Sequence, residues 1–211
     1  MPMTYIPKTF NLPTLTGLSE KQIKVHLALY EGYVKNVNLI TETLAGYAAY
    51  GDKATEGDKL AITELRRRFA FEFDGMRLHE YYFEQFEGGH QQLQGEKFGR
   101  AILDKYDGIG RPAVDSLEMH IREVAGSRGI GWVVVYADPK ANTIHTVFVA
   151  DHEVGQLAGL PILLALDLWE HAYMVDYVPA EKKNYIDAFF ANVNWSVVEK
   201  RFDATTQTSA A

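Results

Sequence analysis

The chain has 211 residues, 47% of them hydrophobic and 23% charged, with a formal net charge of −7 and no cysteine. That balance suits a globular protein of one domain or two small ones sharing a core. It argues against a dominant nucleic-acid or anionic-membrane partner, either of which needs clustered Lys and Arg. Without cysteine, thiolate catalysis, disulfides, iron–sulfur clusters and Cys-held zinc are excluded, so any metal must rest on His, Asp, Glu or Tyr.

Residues Met1–Leu15 carry Pro2, Pro7 and Pro13 and read as an extended surface arm. The first residues lack the basic and apolar regions of a signal peptide, and no apolar run reaches membrane-span length. The expected compartment is therefore the cytoplasm. Ser19 opens a helix as N-cap, with Gln22 as capping-box partner. His26, Tyr30, Tyr33, Val37 and Ile40 then recur at helical spacing and build one face. Gly51-Asp-Lys and Gly57-Asp58 punctuate a turn before a second helix, Lys59 to about Glu87, with Leu65, Phe69, Met76, His79 and Phe83 periodic. Two long helices joined by a short loop make an antiparallel hairpin on which His26 and His79 can meet.

Gly88-Gly89 closes that unit, and the glycine-rich stretch to Arg111 reads as loops with one short helix. A helix from Pro112 to Ala125 follows, then strands at Gly129–Ala137 and Thr143–Ala150 joined by an Asp138-Pro139 turn. Leu160–Leu166 is a third strand, and helices at Glu181–Phe190 and Val197–Phe202 end the pattern before a loose tail from Asp203. Helices first and strands later is an α+β arrangement: a helical hairpin over residues 1–88, and an α+β domain with a three-stranded antiparallel sheet over 89–211.

The chemistry concentrates just after the third strand, where Asp167 and His171 stand four residues apart. If a helical turn starts at Asp167, both lie on one face. A carboxylate and an imidazole beside a buried strand need a partner, and a cation is one that both ligate well. The plainer alternative is an Asp N-cap followed by a buried, hydrogen-bonded His. His26, His79 and His152 also lie in apolar or aromatic settings, whereas His90, His120 and His145 lie in polar ones and read as surface. His79-Glu80 has no second ligand at position 83, which is Phe, so it is not a zincin helix. No Walker loop, Gly-x-Gly-x-x-Gly or Gly-x-Ser-x-Gly is present.

Asp167-Leu-Trp-Glu-His171-Ala-Tyr173 closely resembles the C-terminal signature of the iron/manganese superoxide dismutase family, Asp-Val-Trp-Glu-His-Ala-Tyr. The likeness extends to Lys24-Val-His26, Tyr33-Val34 and Asn38, His79 in an aromatic helix, Gly129-Ile-Gly-Trp132, and Val193-Asn194-Trp195. It implies one iron or manganese per subunit on His26, His79, Asp167 and His171, trigonal-bipyramidal, with water or hydroxide as fifth ligand. The substrate implied is superoxide.

The family's glutamine partner of that solvent comes from the second helix or from the loop after the second strand. Here those positions are Gly75 and His152, so His152 is expected to replace it. Tyr33 is implied as gateway, Trp132 and Trp169 as pocket walls, and Glu170 as a bridge to His171 of a second subunit, with Tyr173 beside that interface. Three departures stand out. His26 to Tyr33 is seven residues rather than eight, and a regular helix would compensate for a family bulge there. The family's second-sphere His is replaced by Leu29 or Tyr30, with Tyr30 a candidate proton-network hydroxyl. Phe83 stands where a Trp is common. The alternatives are a mononuclear iron oxygenase and a redox-inactive metal-binding homologue.

Overall fold

The computed structural model describes residues 4–106 and 110–207. After an extended arm, α1 (Glu20–Ala48) and α2 (Glu56–Glu84) run antiparallel, followed by α3 (Glu96–Tyr106) and α4 (Ala113–Ala125). Strands β1 (Gly131–Asp138), β2 (Thr143–Ala150) and β3 (Ile162–Asp167) form an antiparallel sheet in the order β2-β1-β3. The chain then passes a 3-10 turn (Glu170–Ala172) and two helices, α5 (Lys182–Asn192) and α6 (Trp195–Gln207).

Local chemistry sets where the helices begin. The Ser19 hydroxyl accepts from the Gln22 amide and caps α1. The second half of the expected capping box does not form, because the Gln22 side chain is drawn elsewhere. Helix α2 starts earlier than the Gly57-Asp58 pair suggests: Thr55 and Asp58 form a reciprocal capping box that outweighs the glycine. The expected loose tail is helical as far as Gln207, and residues 208–211 lie outside the described residues. The glycine-rich stretch holds α3, of which Phe98 and Ile102 are buried.

Strand β1 is central and buried from Gly131 to Ala137, which is why it reads as an unbroken apolar run. Its register against β3 sets Trp132 directly across from Asp167. Gly131 (φ +146°) is required there, since a Cβ would lie 2.1 Å from the Val149 carbonyl oxygen. The outer edge of β3 is covered by α2. The buried Gln85 amide donates to the Ala165 carbonyl at 2.7 Å and accepts from the Ala165 N–H at 3.3 Å. This clamp fixes the second helix against the strand that carries Asp167. No helix among the described residues is long and apolar enough to cross a membrane.

Candidate metal centre

Four side chains from four elements converge where α1, α2 and the end of β3 meet. His26 comes from α1, His79 from α2, Asp167 from the last position of β3, and His171 from the following 3-10 turn. Their donor atoms all lie within 4.8 Å of one another. Three imidazole Nε2 atoms point at one carboxylate oxygen, Asp167 Oδ2, at 3.0 Å (His26), 3.1 Å (His171) and 3.6 Å (His79). The other oxygen, Oδ1, accepts from the Trp169 backbone N–H at 2.8 Å, so the carboxylate is held by one edge and offers the other. His26, His79 and Asp167 are fully buried, and His171 is partly exposed.

The protonation pattern of this cluster fits a cation. His79 Nδ1 lies 2.6 Å from the Gly75 carbonyl, which can only accept, so Nδ1 carries the ring proton and Nε2 is a bare lone pair. That buried Nε2 has no hydrogen-bond partner. Burial, and then the neighbouring His26, push the His79 pKa well below its usual value, so the ring stays neutral. Burial lowers His26 as well. For Asp167, burial works toward neutrality, but His171 and His26 outweigh it and keep the carboxyl ionised. Three imidazole nitrogens lying 3.0–3.6 Å from one carboxylate oxygen are at the spacings expected of donors sharing one cation at about 2.1 Å, at angles between right and trigonal. This nitrogen and oxygen set suits iron or manganese.

Beside the cluster lies a second group, built on a hydrogen-bonded pair. His152, in the loop after β2, is buried and sits 2.8 Å from the Tyr33 hydroxyl through Nε2. Its Nδ1 accepts from the Trp132 indole N–H at 2.9 Å. Because indole only donates, the neutral ring must carry its proton on Nε2 and donate it to Tyr33. Burial lowers the His152 pKa to about 4, so the ring is neutral at pH 7. Burial raises the Tyr33 hydroxyl, with Asp167 and Glu72 adding to the shift. Trp169 stacks on both His152 (5.0 Å) and His171 (5.7 Å) and donates its indole N–H to the Asp151 carbonyl.

A family model of iron/manganese superoxide dismutases, C-terminal domain, matches residues 96–201. An iron superoxide dismutase of Aquifex pyrophilus is 32% identical over 191 residues, covering 90% of this chain and 86% of that protein. The chain belongs to the iron/manganese superoxide dismutase family. An iron superoxide dismutase of Cupriavidus metallidurans is 34% identical, with 92% of each chain covered. A manganese superoxide dismutase of Halobacterium salinarum is 30% identical, covering 86% of this chain and 84% of that one.

Against the family pattern, the shorter spacing from His26 to Tyr33 is absorbed by α1, which is regular α-helix throughout. Tyr33 still reaches the cluster, with its ring 5.1 Å from that of His79. Gly75 matches this placement: a Cβ there would lie 2.7 Å from the Tyr33 ring, so the family's helix glutamine has no room here. Tyr30 is turned away from the cluster. Its hydroxyl accepts from the Lys8 amide at 2.8 Å and donates to Glu80 at 3.2 Å, and burial lifts its pKa to about 12. The Asp167–His171 face forms through an irregular link and a 3-10 turn rather than a helix starting at Asp167. Glu170 is exposed, and Tyr173 is nearly buried and stacks on Tyr185 at 5.1 Å. Of the other histidines, His90 meets the Val193 carbonyl, His120 meets Glu123 and His145 meets Asp138.

Several residues of this site escape a reading by periodicity. Phe71 packs edge-on to His152 at 4.5 Å and also meets Tyr33 and Trp169. The signal was present: Phe71, Gly75 and His79 are spaced by four and share one helical face, whereas Phe69 and Phe73 face the arm beside Tyr5. Gln22, read as a cap, is buried and binds the His171 carbonyl (2.6 Å) and the Val175 amide (3.0 Å), tying the ligand turn to α1. Tyr185 donates to the Asp167 carbonyl at 2.7 Å. The Gln22 contacts cross about 150 positions and the Tyr185 contact joins a strand end to a helix, and no local pattern encodes either.

Proposed function

We propose that this chain is a superoxide dismutase in which His26, His79, Asp167 and His171 hold one iron or manganese ion. The observation that carries the reading is the convergence of three imidazole Nε2 atoms on a single buried carboxylate oxygen, within a family whose relatives carry that activity in their names. Residues 1–88 would then supply two ligands and residues 89–211 the other two. A bound ion supplies a one-electron couple, accepting an electron from one superoxide and returning it to the next, giving oxygen and peroxide.

Peroxide formation also consumes two protons, and the residues beside the cluster are suited to hold them. His152 spends its only ring proton on Tyr33, which leaves the Tyr33 hydroxyl proton as the one the pair can offer to the pocket. Its raised pKa keeps that proton in place until an anion needs it. Trp132 fixes the His152 tautomer, and Phe71 and Trp169 wall the pair and exclude water. In this arrangement His152 acts on the pocket through Tyr33.

The active form is proposed to be a cytoplasmic homodimer. Glu170 stands exposed next to His171, beside exposed Met174, Val175 and Val178, an apolar patch suited to burial against a second copy. Glu170 would bridge to the second copy's His171, with Tyr173 beside the contact. The test is the His171→Ala protein, assayed for metal content and for superoxide dismutation. Loss of both supports the ligand assignment; retention of both at the wild-type level contradicts it.

A further inference from the structure

Arg66, Arg67 and Arg68 make a run of three cations in a chain whose net charge is −7. Arg67 is exposed and paired with Glu64 on its own helix. Arg68 is turned toward the Tyr33–His152 pair. Its guanidinium carbon lies 3.8 Å above the centre of the Phe71 ring, and Phe71 packs against both members of the pair. Its Nε donates to Glu72 Oε1 at 2.8 Å. Glu72 is only 4% exposed and accepts a second hydrogen bond from Asn36 on α1, so it holds the arginine stem in one place. The Arg68 side chain remains 45% exposed. The arrangement is a cation at the solvent side with its counter-charge on the inside, one aromatic ring away from the groups proposed to deliver protons. The charges of this pair are felt there: for Tyr33, burial and Asp167 act first, Glu72 adds to their effect, and Arg68 opposes it.

We propose that Arg68 is a positioning residue that draws the anionic substrate to the Tyr33–His152 side of the site, and that Glu72 sets how much of its charge is felt. This rests on the reading of the chain as a superoxide dismutase. A small monoanion approaching a protein of net charge −7 needs a local positive field, and a guanidinium stacked on a ring beside the proton donors supplies it. Because the two charges oppose each other, neutralising either one must act in opposite directions, which a packing defect does not do.

The experiment uses the metal-loaded protein and azide as a small monoanionic probe, followed by optical titration, alongside kcat/KM for dismutation against ionic strength. Arg68→Gln is expected to weaken azide binding about threefold at low salt and to flatten the salt dependence of kcat/KM. Glu72→Gln, which keeps one acceptor for the Arg68 Nε–H while Asn36 turns its amide to accept from the new NH2, is expected to tighten azide and steepen that dependence. Arg68→Lys should restore most of the azide affinity. Lys59→Gln removes an equal charge about 13 Å further along α2 and should leave both readouts unchanged. Equal azide affinity and equal salt slopes in wild type, Arg68→Gln and Glu72→Gln would overturn the proposal, and so would weakening by both substitutions. A loaded protein that follows the predicted azide pattern without dismuting superoxide would overturn the functional reading and keep Arg68 as an anion-guiding residue.

Discussion

The four converging side chains and the Tyr33–His152 rim are neighbours, with the His79 ring 5.1 Å from Tyr33 and 6.1 Å from His152, yet they are built on different terms. Three of the four converging residues are fixed by a contact that cannot be swapped cheaply, while His26 Nδ1 is buried with no hydrogen-bond partner. His79 is oriented by the Gly75 carbonyl, Asp167 by the Trp169 amide, and the His171 turn by Gln22. The rim needs only a hydrogen-bonded pair of the right reach, walled by rings. A glutamine position can therefore become Gly75 and a loop glutamine can become His152, provided Tyr33 has space. The difference teaches where this sequence can depart from its family: beside the ligands, not among them.

The largest effect is expected from Asp167→Asn. It keeps the volume and an acceptor for the Trp169 amide but removes the charge facing three imidazoles. Metal affinity should fall more than about 100-fold, beyond the usual cost of losing an outer partner, as read by metal analysis after dialysis. If the ion were retained, the four-residue cluster would not be the binding site. Next, Gly75→Gln sharpens the contrast. Its Cβ would collide with the Tyr33 ring, so kcat should drop at least about tenfold while metal content holds. Loss of metal instead would make the rim and the ligands one unit.

His152→Gln is expected to be mild. A side-chain amide can accept from Trp132 and donate to Tyr33 as the imidazole does, so kcat should stay within about threefold while the ratio of iron- to manganese-supported activity shifts. Unchanged activity with both metals would remove His152 from any tuning role. The smallest effect concerns Asp74, behind the rim, whose pKa is raised by burial and then by Glu153 to about 6. A carboxyl raised above its unfolded value binds its proton more tightly when folded, so its contribution falls as pH rises from about 4 to about 6. Asp74→Asn should thus stabilise the protein by about 1 kcal/mol at pH 7, allowing for partial exposure, and should do nothing at pH 4. Thermal unfolding at the two pH values checks this.

How far the sequence speaks follows the same division. The four residues that converge were legible because each sits in a strong local pattern: a periodic helix face for His26 and His79, and the close of an apolar strand for Asp167 and His171. The α+β arrangement and the three strands were legible for the same reason, with ends displaced where a cap such as Thr55-x-x-Asp58 or a glycine such as Gly131 intervened. The rim was half legible. Tyr33 and His152 could be named, but their pairing spans 119 positions and His152 is claimed on both nitrogens by side chains from other elements. Tyr30 shows the limit. It shares the ligand face of α1 by spacing, and only the arm, through Lys8 and its contact with Glu80, decides which way its hydroxyl turns.

The most direct test is to strip the protein of metal, reload separate portions with iron and with manganese, and measure superoxide dismutation and bound metal together. The account predicts about one ion per chain and catalytic dismutation with at least one of the two. One ion per chain with no dismutation in either form would contradict it: the ligands would then survive in a protein whose rim does not deliver protons.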